Sequence, residues 1–96
     1  MPAYLICDID VHDPEAYREY VARVPGTLEP FGGRFIVRGG EYESLEGDWR
    51  PRRLVVIEFP SVDHAKRWYT SPDYVAAMQI RRSAADGSIV LAEGAG

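Results

Sequence analysis

The chain has 96 residues, and 11 Lys and Arg against 15 Asp and Glu give it a formal net charge of −4. This length predicts one domain over 1–96, and a hydrophobic content of 46% argues against disorder. The arginines alternate with acidic residues and no apolar run approaches the roughly 18 residues of a membrane span, so neither nucleic acid nor a membrane is an expected partner. No secretory signal is visible at the N-terminus and the single Cys excludes an internal disulfide, which favours a soluble cytoplasmic protein.

The first predicted element is a strand over residues 4–10, a segment rich in β-forming residues. Two sets of side chains alternate along it, namely Leu5, Cys7 and Ile9 on one face and Tyr4, Ile6 and Asp8 on the other. The first set is almost wholly apolar, so we expect helices to cover that face. Cys7 is then predicted to be buried and unreactive.

A helix is predicted to begin after Asp13, whose side chain can cap the free N–H groups of the first turn. Pro14 suits the first helical position. The pair Pro25-Gly26 predicts a kink or break, because proline removes a helical hydrogen bond. A further turn should follow and end at Gly32, a natural C-terminal cap.

A second strand is predicted over 34–38 and a third over 53–59. The polar connection over 41–52 is long for a hairpin, which is typical of a functional or interface segment. The centre of the third strand, 54–57, is continuously apolar, as in a strand covered on both faces.

The second half of the chain repeats the pattern of helix followed by strand. Ser61 and Ser71 are predicted to cap two helical segments. The expected buried side chains of these segments are Val62, Ala65, Trp68, Tyr69, Tyr74, Val75 and Met78. Asp86-Gly87 predicts a turn into a fourth strand over 88–93, and 94–96 is predicted to be a loose tail.

The element order β-α-β-β-α-β predicts an α+β fold, in which a four-stranded antiparallel sheet carries its helices on one face. We expect the apolar sets under the helices, namely Phe35 and Val37 with Val55, Ile57 and Phe59. The mixed sets are expected on the open face, namely Arg34, Ile36 and Arg38 with Leu54, Val56 and Glu58. The fourth strand is left open, because Ile89, Leu91 and Glu93 alternate with Val90 and Ala92.

An open face that carries Ile6, Ile36, Leu54 and Val56 is a large apolar patch for a monomer. Burying several hundred Å² of it at roughly 25 cal/mol per Å² would be worth many kcal/mol before association costs. The sequence therefore predicts that a second copy of the chain covers this face and forms a homodimer.

A set of motifs along almost the whole chain points to a family. They are Asp13-Pro14-Glu15 with Tyr17 and Tyr20, Pro25, Gly32-Gly33-Arg34-Phe35, Arg38-Gly39-Gly40, Glu46-Gly47-Asp48-Trp49, Phe59-Pro60-Ser61, Trp68-Tyr69, Ser71-Pro72 and Tyr74. With these motifs the chain resembles the dimeric α/β-barrel superfamily and, within it, the domain of unknown function 1330. The resemblance implies a ferredoxin-like protomer and a homodimer that packs sheet against sheet. It implies no settled activity, since the wider superfamily includes cofactor-independent monooxygenases, isomerases, haem-handling enzymes and stress proteins.

Asp8, Arg34 and Glu58 form the first candidate ligand-binding group. With strands one and three taken as parallel, we expect all three side chains at one end of the open face. A carboxylate pair beside an arginine can hold a polar ligand or perform acid–base chemistry. The alternative is a structural ion-pair network at the dimer interface.

Arg38 is expected at the other end of the sheet, near Arg53, where its guanidinium can clamp a ligand carboxylate. The alternative is an ion pair with a nearby glutamate. Tyr17 and Trp68 belong to a group of aromatic residues at helical spacing, which predicts either core packing or the lining of a pocket for a flat organic ligand.

No metal or cofactor is predicted. His12 and His64 lack a second His or Cys at ligand spacing, so both are expected to be exposed, and a haem ligand is conceivable only by analogy with the superfamily. Three functions stay open: a homodimer that binds a small organic molecule, a cofactor-independent enzyme (oxygenase, isomerase or decarboxylase-like), and a non-catalytic structural or stress-related dimer. For the enzyme, Asp8 and Glu58 are the predicted acid and base.

Overall fold

The computed structural model describes residues 1–95. Its elements in chain order are β1 (Ala3–Val11), α1 (Pro14–Leu28), β2 (Arg34–Arg38), β3 (Leu54–Phe59), α2 (Val62–Tyr69), α3 (Pro72–Ala84) and β4 (Ala85–Glu93), with a 3-10 turn over Glu29–Phe31. The tail predicted over 94–96 and the domain predicted over 1–96 both include Gly96, which lies outside the described residues.

The strands form one sheet in the order β2-β3-β1-β4, and each neighbouring pair is antiparallel. The helices cover one face of this sheet. The predicted α+β fold is therefore confirmed. None of the helices in the described part of the chain combines the length and the apolar character that crossing a bilayer requires.

The core lies between the helices and the covered face of the sheet. As predicted, the sheet contributes a set of buried side chains from β1 and β3, namely Leu5, Cys7, Ile9, Val55, Ile57 and Phe59. Trp68 of α2 and Tyr74 of α3 are completely buried against them. Side chains of this size bury on the order of 200 Å², worth about 4–6 kcal/mol each before entropic costs.

Side-chain caps fix where the helices begin. The carboxylate of Asp13 accepts the N–H of Ala16 at 3.1 Å, and the hydroxyl of Ser61 accepts the N–H of His64 at the same distance. The hydroxyl of Ser71 caps α3 in the same way. These contacts confirm the predicted caps, each of which is worth about 1 kcal/mol.

The predicted break at Pro25 is absent, because α1 continues through Pro25 to Leu28. Proline has no N–H to donate to the carbonyl four residues earlier, which belongs to Val21. That carbonyl instead accepts a hydrogen bond from the Arg38 guanidinium at 2.9 Å. Gly32 ends the following turn with a φ of 69°, the left-handed conformation predicted for it.

A β-bulge at Ile36 corrects the predicted faces of β2. Phe35 pairs with Ile57 of the covered face, but the register then shifts so that Val37 pairs with Val56 and Arg38 with Val55. An extra residue in one strand reverses the alternation beyond it. Val37 therefore lies on the open face, and Arg38 lies on the helix side.

The predicted direction of β3 is also wrong. β1 and β3 are antiparallel, with Tyr4 opposite Glu58 and Asp8 opposite Leu54. A right-handed β1-α1-β2 crossover makes β1 and β2 parallel, so a β3 that pairs antiparallel with β2 must oppose β1. Asp8 and Glu58 consequently lie at opposite ends of the sheet.

β4 begins at Ala85, directly after α3, so the turn predicted at Asp86-Gly87 does not form. Both residues pair with β1, and a Cβ at position 87 would collide with the Asp8 carbonyl. Pairing also settles the faces of β4. Ile89 and Leu91 lie opposite Cys7 and Leu5 on the covered face, and Val90 and Ala92 lie on the open face.

Candidate functional site

Arg34 and Glu58 form an ion pair on the open face of the sheet. The Nε of Arg34 donates to Glu58 Oε1 at 2.7 Å, and a second guanidinium nitrogen lies 2.6 Å from the same oxygen. The guanidinium of Arg34 and a hydrogen bond from Tyr4 lower the pKa of Glu58 below its ordinary value. Glu58 is therefore ionised at neutral pH and lacks the raised pKa that a general acid requires.

Asp8 lies at the other end of that face, where it anchors the β2–β3 loop, which we define as residues 39–53. Its Oδ2 accepts the indole N–H of Trp49 at 2.9 Å, and its Oδ1 accepts the backbone N–H of Arg52 at 2.9 Å. Because both carboxylate oxygens are engaged by the loop, Asp8 has a structural role in this arrangement. The predicted group of Asp8, Arg34 and Glu58 is not brought together.

The two predicted aromatic residues, Tyr17 and Trp68, both line a cavity of about 30 Å³ between the helices and the sheet. Its wall is mostly apolar and aromatic: Leu5, Cys7, Ile9, Tyr17, Tyr20, Val21, Val24, Phe35, Arg38, Arg53, Val55, Ile57, Trp68, Tyr74, Arg81 and Ile89. Tyr17 and Trp68 are both buried. They therefore belong to the core and line the cavity at the same time.

Trp68 is held rigidly in this wall. Its indole N–H donates to the hydroxyl of Thr27 at 3.0 Å, and its ring lies 3.8 Å from that of Tyr74. The Tyr74 hydroxyl in turn lies 2.9 Å from the Tyr20 hydroxyl. Burial raises the pKa of Tyr20 far above its usual value, and the Tyr74 hydroxyl adds to the shift, so the Tyr20 hydroxyl stays neutral.

Arg38 lies at the solvent side of the cavity, since it is exposed and yet lines the wall. Its guanidinium lies over the ring of Phe35 at 4.2 Å and donates to the Val21 carbonyl that Pro25 leaves free. The sequence predicted that Arg38 could clamp a ligand, but on the wrong face of the sheet. The bulge at Ile36 is what turns it toward the helices.

Arg53 reaches the cavity from the end of the β2–β3 loop. Its guanidinium lies 5.7 Å from the ring centre of Tyr17, and a Cβ at Gly39 would overlap it. Gly39 also has a φ of 71°, a left-handed conformation that favours glycine at this position. The backbone carbonyl of Arg53 accepts the N–H of Ile9, which ties the loop to β1.

Arg81 of α3 is the cavity residue that sequence reasoning missed. It is only 9% exposed, and no carboxylate of residues 1–95 forms a salt bridge with it. The Nε atoms of Arg81 and Arg53 are both buried, with no hydrogen-bond partner among the described residues. A signal was present in the sequence, because Tyr74, Met78 and Arg81 follow the spacing of one helix face.

Cys7 lines the same cavity without offering a nucleophile. Burial raises the pKa of its thiol to about 11, against the smaller opposing effect of Arg81. The thiol is protonated at neutral pH, as the sequence predicted. The cavity thus presents guanidiniums, neutral hydroxyls and a neutral thiol, and no carboxylate or imidazole lines it.

Two larger clefts adjoin the cavity. One of about 430 Å³ lies between α2 and the sheet, beside Lys66, Tyr69 and Leu91, and another of about 360 Å³ lies beside Tyr69, Arg82 and Asp86. Ile89 lines the cavity and both clefts. Its side chain is therefore part of the wall that separates them.

The two histidines lie outside the cavity. His12 is exposed, 3.8 Å from Asp86, and His64 contacts the Ser61 hydroxyl at the start of α2. Within residues 1–95, no group of three or more His, Cys, Asp or Glu side chains is arranged to hold a metal ion.

The fold and the site together define a ferredoxin-like α+β protein with an aromatic, guanidinium-lined cavity under its helices. The chain belongs to the family described as a domain of unknown function (DUF1330), whose model matches residues 2–95. No curated protein matches it.

Solved structures share the fold at low sequence identity. A protein of unknown function from Rhodopseudomonas palustris is 21% identical, with a TM-score of 0.77 over 99% of this chain and 83% of that one. A dimeric ferredoxin-like protein of unknown function from Jannaschia sp. CCS1 is 13% identical, with a TM-score of 0.72 over 98% of this chain and 100% of that one. SnoaB, a cofactor-independent oxygenase from Streptomyces nogalater, is 15% identical, with a TM-score of 0.67 over 99% of this chain and 94% of that one.

Proposed function

We propose that this protein is a homodimer that binds a small organic molecule in the cavity between its sheet and its helices. The observation that carries the proposal is the cavity itself, where polar groups of Tyr20, Arg53 and Arg81 converge on an otherwise apolar wall inside the core. Small-molecule sites typically combine an apolar lining with a few convergent polar groups. Core packing alone would favour side chains that fill this space without burying guanidiniums.

The homodimer rests on the open face of the sheet. This face carries Ile6, Val37, Val56 and Val90, and Ile36 and Val90 are 46% and 57% exposed. Apolar side chains in a contiguous patch favour a protein partner. The Jannaschia protein is dimeric by description, which supports a second copy of the chain as that partner.

Sedimentation tests the dimer. We expect the protein to sediment as a dimer at micromolar concentration, and Val56→Asp to yield a folded monomer because a buried charge opposes sheet-to-sheet packing. Lys66→Asp, on the exposed side of α2, is the control and should leave the dimer intact. A folded wild-type monomer at this concentration would refute the proposed homodimer.

Thermal denaturation against a panel of small organic molecules tests ligand binding. A ligand that binds only the folded state raises the melting temperature, by an amount that grows with the logarithm of the ligand concentration above its Kd. We expect shifts with flat, ring-containing compounds and smaller shifts with flexible polar metabolites. A stable dimer that no compound stabilises would instead support the non-catalytic structural protein that the sequence left open.

A cofactor-independent oxygenase is the second candidate function, and the cavity gives it a specific form. Since no Asp or Glu lines the cavity, the predicted carboxylate acid and base, Asp8 and Glu58, have no access to a ligand there. An oxygenase of this architecture would rely on a substrate that ionises readily, with guanidiniums stabilising its anion. Dioxygen uptake with easily oxidised phenols tests it, and uptake unchanged by Arg81→Gln would remove the cavity from that reaction.

A further inference from the structure

We infer that the cavity selects an organic anion with a flat body, namely an aromatic carboxylate, and that Arg81 and Arg53 bind the carboxylate group. The inference rests on the proposed function and adds to it the chemical class of the ligand. It follows from the charge, the hydrogen-bonding state and the shape of the cavity wall.

The buried charge of Arg81 has no counter-anion in the described part of the chain. An arginine side chain stays protonated in proteins, so burying it without a partner anion is costly. Arg81 is 9% exposed and forms no salt bridge within the described part of the chain. The chain carries more acidic than basic residues, 15 against 11, so a cavity with arginines and no acidic residue departs from the composition.

Two guanidinium donors in the cavity wall lack an acceptor in the part of the chain that the structure describes. The Nε–H groups of Arg81 and Arg53 are buried and have no acceptor among residues 1–95. Both side chains line the same cavity. A carboxylate there would offer acceptor lone pairs to both donors and supply the missing negative charge.

Aromatic rings line the cavity together with the guanidiniums. The rings of Tyr17, Trp68 and Tyr74 form an aromatic wall, which favours a flat ring as the body of the ligand. Cys7 is neutral at physiological pH, since burial raises its pKa to about 11. The protein therefore provides no competing anion inside the cavity.

The cavity of the empty protein is smaller than an aromatic carboxylate, so its wall must move when the ligand binds. About 30 Å³ accommodates ordered water rather than an aromatic ring. Arg38 is the exposed residue of the wall, where a hydrogen bond to the Val21 carbonyl and a contact with the Phe35 ring hold its guanidinium. Arg38 and Ile89, which border the solvent and the adjoining clefts, must therefore rotate outward when the ligand enters.

Calorimetric titration with 2-naphthoate and its neutral isostere 2-naphthamide tests the inference. We expect the wild-type homodimer to bind the carboxylate about tenfold or more tightly than the amide. Arg81→Gln and Arg53→Gln should each weaken 2-naphthoate binding by about 10- to 100-fold and weaken 2-naphthamide binding much less, because the neutral amide loses no charge-assisted hydrogen bond. Arg18→Gln, an exposed arginine on α1 that does not line the cavity, is the matched control and should bind both probes like the wild type.

Melting curves accompany each titration. If Arg81→Gln does not fold, Arg81→Lys, which keeps the charge, and Arg53→Gln carry the test. Equal affinity for the two probes, or unchanged 2-naphthoate binding in both folded Arg→Gln variants, would overturn the anion inference and leave the proposed binding function standing. Binding of neither probe at millimolar concentration, together with no stabilisation by the compound panel, would overturn both.

Discussion

Replacing Arg81 with Met should make the ligand-free protein more stable. The arginine is 9% exposed, has an Nε without a partner, and forms no salt bridge with any described residue. Methionine keeps most of the length and the apolar contacts of the side chain while removing the buried charge. A residue that binds a ligand at a cost to the empty fold is typical of a functional site.

The expected gain is about 2 kcal/mol in the free energy of unfolding. An unsatisfied buried donor costs roughly 1–3 kcal/mol, and more when it is charged, while imperfect repacking of Met offsets part of the gain. For a domain of this size, 1 kcal/mol shifts the melting temperature by roughly 4–8 °C, so we expect a rise of about 8–16 °C.

Thermal denaturation at a fixed protomer concentration measures this shift, because the melting temperature of the proposed dimer would depend on concentration. The protein should first be unfolded, dialysed and refolded to remove any ligand bound during expression. Arg82→Met, at the exposed neighbouring position on α3, is the control and should change the stability by less than about 0.5 kcal/mol. A melting temperature that falls by several degrees in Arg81→Met would show that the guanidinium stabilises the ligand-free protein, contrary to the destabilisation expected from its burial.

Three further predictions concern individual contacts. Glu58→Gln should lower the free energy of unfolding at pH 7, because the Glu58 carboxylate stabilises the fold only while it is ionised. Urea denaturation at a series of pH values should show the difference between variant and wild type vanish as the pH falls through the lowered pKa of Glu58. A difference that stays the same at every pH would mean that the ion pair contributes nothing. Asp8→Ala should speed limited proteolysis within the β2–β3 loop, because it removes two hydrogen bonds to that loop. Asp10→Ala removes only one exposed ion pair to Arg52 of the same loop and should speed cleavage much less; equal cleavage rates would argue against Asp8 as the anchor. Pro25→Ala restores an N–H that can donate to the Val21 carbonyl, which should release the Arg38 guanidinium from that carbonyl. Stopped-flow measurements should then show faster association of 2-naphthoate, and an unchanged rate would mean that Arg38 does not limit entry.

The alternation of apolar residues predicted the buried faces of β1 and β3, because those strands are regular and one face packs under helices. It failed at β2, where the bulge at Ile36 reverses the faces of Val37 and Arg38. A one-residue bulge leaves the composition of a five-residue strand unchanged, so the pattern alone could not locate it.

The candidate site was predicted less well than the fold. Tyr17, Trp68 and Arg38 line the cavity, whereas Asp8 and Glu58 were grouped through a wrong strand direction that the crossover rule would have corrected. Arg81 lay on the buried face of a helix whose spacing was visible. The sequence pattern alone does not predict its burial, because charged residues are seldom fully buried, and that rarity makes the buried guanidinium informative.

The two faces of the sheet have separate roles in this account. The open face carries the Arg34–Glu58 ion pair and the apolar patch that a second copy would cover. The covered face carries the cavity. The β2–β3 loop connects them, because Asp8 anchors it on the open side and Arg53, at its end, reaches the cavity.

The most direct test of anion binding by Arg81 is the NMR signal of its Nε–H group in the refolded protein, assigned by comparison with Arg81→Lys. We expect the proton of this donor, which has no acceptor among the described residues of the empty protein, to move far downfield when 2-naphthoate is added and much less with 2-naphthamide. A proton that is already far downfield in the empty protein, or that does not respond to 2-naphthoate at saturation, would contradict the inference.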